Sequence, residues 1–518
     1  MLSRSAHSLN PKRERTLLPY GLAGLVVALK ESCMVSQAVA PDKTVIASQR
    51  ALCVDLDGTL VKSDTLIDSL LLLARTYPLK ALQSPLWISG GKAALKARVG
   101  ALVQLDPAHL PYNRQLLEYL TEQHNEGRKL YLTTGADATL AQRIADHLGI
   151  FEEVLASDGA TNLTGHNKLE SLQRRFAEGF DYIGNARPDL TLLQHSGEPM
   201  VANPDRALRG LLNRHKVTVA RQFDDRAPIG KILFKTIRLH QWAKNVLIFV
   251  PLLLAHILSL RLFSQALVAF LSFSLCASAT YIVNDLLDIE ADRRHPKKRR
   301  RPFASGDLSP KTGVLISVTF LAMAFAGAAW LPIGFLGWLL TYLVTTLAYS
   351  LHLKRVVLID VVLLSGLYTL RMLAGGAATS VTFSPWLAAL SVFLFLSLAM
   401  VKRFSELQNV RASGNALSNG RGYLLADIEQ LRSFGTASAY AAVVVFALYI
   451  NSPDIMDLYH HPTRMWLMTP LMILWLSRVW LLASRGELDE DPVIFAVTDK
   501  MSLLIGACIA VIAVLAAI

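Results

Sequence analysis

From about residue 241 to the final residue, apolar runs long enough to cross a bilayer follow one another with only short polar breaks. A hydrocarbon layer has no water to satisfy peptide groups, so runs of this length must fold as helices that satisfy their own backbone. They lie at roughly 241–260, 264–284, 312–330, 333–350, 356–377, 385–401, 434–451, 465–483 and 501–518, which predicts nine transmembrane helices. Before about residue 230, charged and polar side chains are scattered as in a soluble domain. The overall 52 % hydrophobic and 18 % charged content therefore averages two unlike halves.

The net charge of +12 does not point to nucleic acid, because much of the basic excess sits in short loops beside apolar runs, where it sets topology. With the N-terminal half cytoplasmic, loops 285–311, 351–355, 402–433 and 484–500 hold about seventeen Lys and Arg, while the outer loops hold only Arg261 and Arg464. An odd number of spans then leaves the C-terminus outside. Cys33, Cys53, Cys276 and Cys508 form no CxxC pair and no ligand spacing, so neither a disulfide framework nor a zinc site is expected. Residues 1–45 contain "TLLPYGLAGLVVALK", too short to span and ending in Lys30 and Glu31. They are expected to form a disordered or surface-lying extension, since export as a signal peptide would carry the next domain away from the cytoplasmic face.

At the edge of the second run stands "NDLLDIEADRRHPKKRRRPFASG", Asn284 to Gly306. Asp285, Asp288 and Asp292 are spaced to share one helical face, with Asn284 one turn before Asp288. Such a cluster repels itself unless compensated. Mg²⁺ is held by one or two carboxylates together with substrate phosphates, and the following block, His295 to Arg301, supplies cations for the phosphate oxygens left over. A diphosphate clamped by carboxylates, Mg²⁺ and Arg/Lys accounts for both halves of the motif. A solvated loop touching anionic lipid explains the basic block alone. A transporter is a further alternative, since intramembrane carboxylates also mark ion pathways, although no inverted repeats are visible.

A second polar group lies in "YSLHLKRVVLIDVVLLSGLYTLRMLAGG", which places Tyr349, Lys354, Asp360 and Arg371 around the next cytoplasmic turn and the following span. Asp360 and Arg371 fall on nearly the same face, as site residues or as partners of each other. Gly375 and Gly376 permit close helix approach.

These segments resemble the UbiA superfamily of membrane prenyltransferases, whose first aspartate-rich motif is NDxxDxxxD and whose usual span count is nine. Within it, "RLHQWAKN", the HPxKxxRPxASG continuation, "YSLHLK" and "KRFSEL…GRGY" are similar to the branch containing decaprenyl-phosphate phosphoribosyltransferase. The resemblance implies Mg²⁺-dependent transfer of phosphoribose from phosphoribosyl diphosphate to a polyprenyl phosphate, in a bacterial cytoplasmic membrane. It assigns Asn284, Asp285, Asp288 and Asp292 to metal and diphosphate, and Lys244, Arg301, Tyr349, Lys354 and Arg371 to substrate. Asp360 matches the second acidic region, but Leu364 stands where that region's DxxxD pattern has its second acid. Aromatic prenyl transfer from an allylic diphosphate, which uses both acidic motifs, is the runner-up.

The soluble half carries its own chemistry. "ALCVDLDGTLVKSD" is a strand-like run ending in Asp55 and Asp57, then Gly58 for a tight turn. Two carboxylates there suit a nucleophile, an acid/base and Mg²⁺. DxDGT resembles the first motif of haloacid-dehalogenase-like phosphatases. The resemblance makes Asp55 the nucleophile and Asp57 the general acid/base, with Thr134 and Lys168 on phosphate and Asp55, Asp57 and Asp189 on metal; Asn185 stands where the family has an acid. Residues 60–128 read as a small helical cap, and alternating strands and helices from 129 to 203 predict a doubly wound parallel α/β sheet.

The expected organisation is thus an extension (1–45), a phosphatase-like domain (46–222), a linker (223–235) and an all-α membrane transferase of nine helices (236–518). Its partners are the bilayer, a polyprenyl lipid and a diphosphate-containing substrate.

Overall fold

The computed structural model describes residues 50–157, 163–257, 259–413, 421–488 and 492–518. The expected N-terminal extension lies outside them. The soluble half is built on six strands, β1 (Ala51–Val54), β2 (Leu130–Asp137), β3 (Glu153–Ser157), β4 (Phe180–Gly184), β5 (Pro199–Ala202) and β6 (Arg221–Phe223). They form one parallel sheet in the order β3-β2-β1-β4-β5-β6. Side chains alternate across a strand, so a parallel sheet covered on both faces needs apolar residues at every position. β1 meets that need: Leu52 and Val54 enter one buried cluster with Leu132 and Ile183, and Cys53 enters the opposite one with Tyr182 and Leu172. The chain leaves β1 for β2 on one side and returns later to β4 on the other. The carboxyl ends of β1, β2 and β4 therefore meet at a topological switch, where such sheets bind ligands.

Helices Thr65–Thr76, Pro78–Trp87 and Gly91–Leu102 make the expected cap between β1 and β2. Asp64 starts the first of them by accepting from the Ile67 amide.

The membrane half is helical. Among the described residues, eight helices are long and apolar enough to cross a bilayer: Leu260–Leu287, Pro310–Ala328, Ile333–Leu351, Ile359–Thr379, Pro385–Ala412, Leu425–Ile450, Pro462–Ser484 and Lys500–Ala517. The expected first span, 241–260, is not one α-helix. It is a 3₁₀ helix, Leu239–Phe249, followed by a short α-helix, Val250–Leu254. Side chains seat it on the next helix: Trp242 Nε1 donates to Ser278, Asn245 Nδ2 donates to Ser274, and Phe249 meets the rings of Phe270 and Phe263. The segment thus runs antiparallel along helix Leu260–Leu287. Its close fit needs Gly375, where a Cβ would lie 2.0 Å from the Ile248 carbonyl oxygen. Gly435 plays the same part against Trp480, 2.2 Å from a Cβ at that position.

Candidate active sites

Asp55, at the carboxyl end of β1, is the centre of the soluble site. Lys168 Nζ donates to Asp55 Oδ1 at 2.7 Å and to Tyr182 OH at 3.1 Å, and Tyr182 OH donates to Asp189 Oδ1 at 3.0 Å. Thr59 Oγ1 lies 3.3 Å from both Asp55 Oδ2 and Asn185 Oδ1. The φ of +79° at Gly58 suits glycine, and a Cβ there would sit 2.1 Å from the Asn185 amide nitrogen. Thr134 is buried in the end of β2, where its hydroxyl accepts from the Ala136 amide at 3.0 Å. Asp57 accepts from the Thr65 amide at 2.7 Å, at the start of the first cap helix.

Both carboxylates are raised well above the usual range. Burial pushes Asp55 up to about 6 against the pull of Lys168, and burial with the charge of Asp64 pushes Asp57 up to about 7. Burial opposes the charge on Lys168, but Asp55 and Asp189 hold its pKa above the usual lysine value. Asp189, expected as a metal ligand, uses Oδ1 for Tyr182 and Oδ2 for the amides of Asn185 and Ala186 at 3.0 Å. It frames the turn, and Asn185 is the residue that reaches over Gly58. A cleft of about 480 Å³, including its open mouth, adjoins Thr65 and is lined by Lys96, Val99, Asp137 and Arg143.

In the membrane half, helix Leu260–Leu287 ends at Asp288 and a short helix, Ile289–Arg294, follows. This break divides the three aspartates. Arg238 Nη2 donates to both oxygens of Asp285 at 2.6 and 2.7 Å. Arg301 Nη1 bridges Asp285 Oδ1 at 2.9 Å and Asp292 Oδ2 at 2.7 Å. Asp288 instead takes Lys354 Nζ at 3.2 Å on Oδ2 and Arg75 Nη1 at 2.5 Å on Oδ1, and Lys354 also donates to Asn284 at 3.3 Å. Burial raises the pKa of Asp292, with Arg301 opposing.

Among the described residues, no three His, Cys, Asp or Glu side chains converge as a complete metal cage. The donor set nevertheless fits Mg²⁺. Asp285 and Asp292 already turn oxygens to one shared cation, the Arg301 nitrogen, and Mg²⁺ completes its shell with phosphates and water.

The second acidic region is a different object. Asp360 is 0 % exposed, with Oδ2 accepting from Arg403 Nε at 2.6 Å and Oδ1 from Tyr423 OH at 2.5 Å. Arg403 continues to Glu406 and to Tyr349. Asp360 and Tyr349 are therefore joined through Arg403 in a brace between helices. Arg371 does not pair with Asp360. It donates to Asn245 Oδ1 at 2.7 Å, to the Leu367 carbonyl and to Tyr342 OH, and it shares the Tyr368 ring with Lys244, at 5.4 and 5.8 Å from the centroid. Arg371 and Lys244 are two buried cations in the interior, beside the helix that carries Asp285.

The two halves touch at their sites. Lys62, five residues after Asp57, donates to Asp307 at 3.1 Å, and a Cβ on Gly306 would meet Lys62 Cβ at 2.7 Å. Arg293 Nη2 donates to Asp68 at 2.7 Å and Ser63 at 3.1 Å, with the ion pair 2 % and 1 % exposed. Sequence reasoning missed Arg238, Tyr182, Thr59, Arg403 and Arg75. Arg238 stands first in the quoted "RLHQWAKN", and Thr59 completes DxDGT; for Arg75 no local signal exists.

A model of the UbiA prenyltransferase family matches residues 246–505. An uncharacterized Sinorhizobium fredii protein is 38 % identical over 462 residues, 89 % of each chain, so the match takes in both halves. Decaprenyl-phosphate phosphoribosyltransferase of Mycobacterium tuberculosis is 34 % identical over 225 residues, 42 % of this chain and 74 % of its own. A solved UbiA homolog from Archaeoglobus fulgidus, bound to DMAPP and Mg²⁺, aligns with 54 % of this chain and 98 % of its own at 18 % identity and a TM-score of 0.42.

Proposed function

Because this chain belongs to the UbiA prenyltransferase family, and is therefore a multi-pass membrane transferase, we propose that it moves phosphoribose from phosphoribosyl diphosphate to a polyprenyl phosphate. The observation that carries this reading is an acidic pair, Asp285 and Asp292, joined through Arg301 and flanked by Arg238, with Asp288 held by Lys354 at the helix break between them. Asp360 pairs with Arg403 and Tyr423 and has Leu364 where a DxxxD pattern needs its second acid, which disfavours aromatic prenyl transfer. The similarity to the mycobacterial phosphoribosyltransferase points the same way.

When bound, Mg²⁺ supplies charge neutralisation on the leaving diphosphate, and Asp285, Asp288 and Asp292 are the residues that would hold it. Arg238, Arg301 and Lys354, released from the carboxylates, take the diphosphate oxygens. The acceptor phosphate is already anionic and needs no strong base; its oxygen attacks the anomeric carbon as the bond to diphosphate breaks. Lys244 and Arg371, the buried pair over Tyr368, receive the acceptor phosphate.

The product, a polyprenyl-phosphoryl 5-phosphoribose, still bears a phosphomonoester, and the soluble site suits its removal. Asp55 attacks phosphorus, the bond to the sugar's 5-oxygen breaks, and Asp57 donates the proton that this oxygen needs; water then cleaves the aspartyl-phosphate to inorganic phosphate. The tether raises the effective concentration of each site near the other's product. Both sites belong on the cytoplasmic face. In this topology segment 239–254 is the first of nine crossings: eleven 3₁₀ residues and five α residues extend about 30 Å, the thickness of the hydrocarbon core.

The test offers membranes containing the protein two labelled substrate pairs, phosphoribosyl diphosphate with polyprenyl phosphate, and an allylic diphosphate with an aromatic acid. Label in the lipid from the first pair supports the reading. Label only from the second replaces it.

A further inference from the structure

The membrane site carries one cation that the membrane half does not own. Helix Thr65–Thr76 begins at the soluble site, where the Thr65 amide donates to Asp57. It ends at the membrane site, where Arg75 Nη1 donates to Asp288 Oδ1 at 2.5 Å and to the Leu287 carbonyl at 3.3 Å. Its twelve residues extend about 18 Å. Between these ends, Asp68 is tied to Arg293 and Leu71 packs against the cluster of Ile232, Ile282 and Leu286. The position of Arg75 is therefore fixed by buried contacts, while its side chain, 27 % exposed beside the 18 % exposed Asp288, remains open to a polar substrate.

We propose that the soluble domain supplies Arg75 as a phosphate-binding residue of the transferase site. The identity of the phosphate, a diphosphate donor, rests on the function proposed above. Four cations, Arg75, Arg238, Arg301 and Lys354, surround three carboxylates, Asp285, Asp288 and Asp292. Asp288 has two of them, one on each oxygen, and Asp285 has the other two. The face is already positive, and a divalent cation on the carboxylates would displace the guanidinium and ammonium groups toward whatever anion enters. Arg75 offers a planar fork for two phosphate oxygens, which the Lys354 ammonium cannot.

The test measures binding of inorganic diphosphate in the presence of Mg²⁺, by calorimetry on the full-length protein, alongside transfer kinetics. Arg75→Ala should weaken diphosphate binding and raise the KM for phosphoribosyl diphosphate about 10- to 100-fold, as expected for losing a charge-assisted hydrogen bond. The KM for polyprenyl phosphate should stay within about twofold, and Arg75→Lys should recover part of the loss. Lys62→Ala removes a docking bond to Asp307 without touching Asp288 and should leave diphosphate affinity unchanged. If the alanine variant fails to fold, Arg75→Gln repeats the test with side-chain length kept. Equal diphosphate affinity in wild type and variant overturns the proposal, and so does an equal loss in Lys62→Ala. A wild-type protein that binds diphosphate with Mg²⁺ but transfers no phosphoribose overturns the proposed reaction and leaves Arg75 assigned.

A separate observation concerns the next helix, Pro78–Trp87, which has no buried residue. Leu79, Leu82 and Leu86, at i, i+3 and i+7, are 76 %, 78 % and 74 % exposed on one face, and Ile88 follows at 55 %. The helix starts three residues after Arg75, which touches Asp288 at the end of a membrane span, and it is only about 15 Å long. We infer that this helix lies on the bilayer surface with its leucines among the lipid headgroups and upper acyl chains, keeping the cap beside its lipid-linked substrate. In phosphatidylcholine/phosphatidylglycerol nanodiscs, a photoactivatable phospholipid should label the peptide 77–92. Labelling of the membrane helices without this peptide would overturn the inference.

Discussion

Replacing Arg293 by Met should undock the two halves, because Asp68 would stay buried without its cation. The ion pair is 2 % and 1 % exposed, and Arg293 also reaches Ser63 and the Ala304 carbonyl. Breaking one side of such a pair costs roughly 3–5 kcal/mol. Here the lower end applies, since Asp68 Oδ1 and Arg293 Nη1 already lack hydrogen-bond partners, so the cost is about 3 kcal/mol, or about 100-fold in the ratio of docked to undocked protein. Amide hydrogen exchange over helix Thr65–Thr76 reads this opening directly. Its protection should fall by about that factor in Arg293→Met and return to within about tenfold of wild type in Arg293→Met with Asp68→Leu, where no buried charge is left. Unchanged protection in the single variant, or a double variant no better than the single, would refute the reasoning.

Other expectations follow from the same contacts. Asp288→Asn or Asp292→Asn should abolish Mg²⁺-stimulated transfer, by at least about 100-fold, while the protein stays inserted; full activity in both removes the metal assignment. Asp360→Asn leaves the buried Arg403 with Glu406 as its one carboxylate partner and should lower stability by roughly 1–3 kcal/mol with donor KM unchanged, so a donor KM defect at wild-type stability would give Asp360 a role in donor binding. A reporter fused after Ile518 should lie outside and one inserted after Gly306 inside; reporters on the same side would mean that one of the seven helices between them does not cross, and would sink the nine-span topology.

Much of this architecture was legible in the residues, and the failures have identifiable causes. Strand alternation and DxDGT placed Asp55 and Asp57 at the end of β1 because a local period and a local turn dictate both. Gly375 was readable as a close approach, although its neighbour is the Ile248 backbone rather than a second regular helix. The run 241–260 misled because hydropathy reports length and not helical form; Pro251, which has no N–H to donate, stands in the first turn of the short α-helix where the two forms meet. Asp360 and Arg371 share a helix face, yet each found a better partner on another element, Arg403 and Asn245. The i, i+3, i+7 spacing of the aspartates does not put all three on one helix face, because the helix breaks at Asp288 and sends that carboxylate to Lys354 and Arg75. Arg75 was invisible because only the docking of one half on the other brings it there.

The most direct test of the account is the mass of the lipid product made by wild type and by Asp55→Asn from phosphoribosyl diphosphate and polyprenyl phosphate with Mg²⁺. The account predicts a polyprenyl-phosphoryl ribose from wild type and, from the variant, the same lipid heavier by one phosphate. Absence of any ribosylated lipid would contradict the transfer, and an identical phosphorylated lipid from both proteins would contradict the role given to the soluble site.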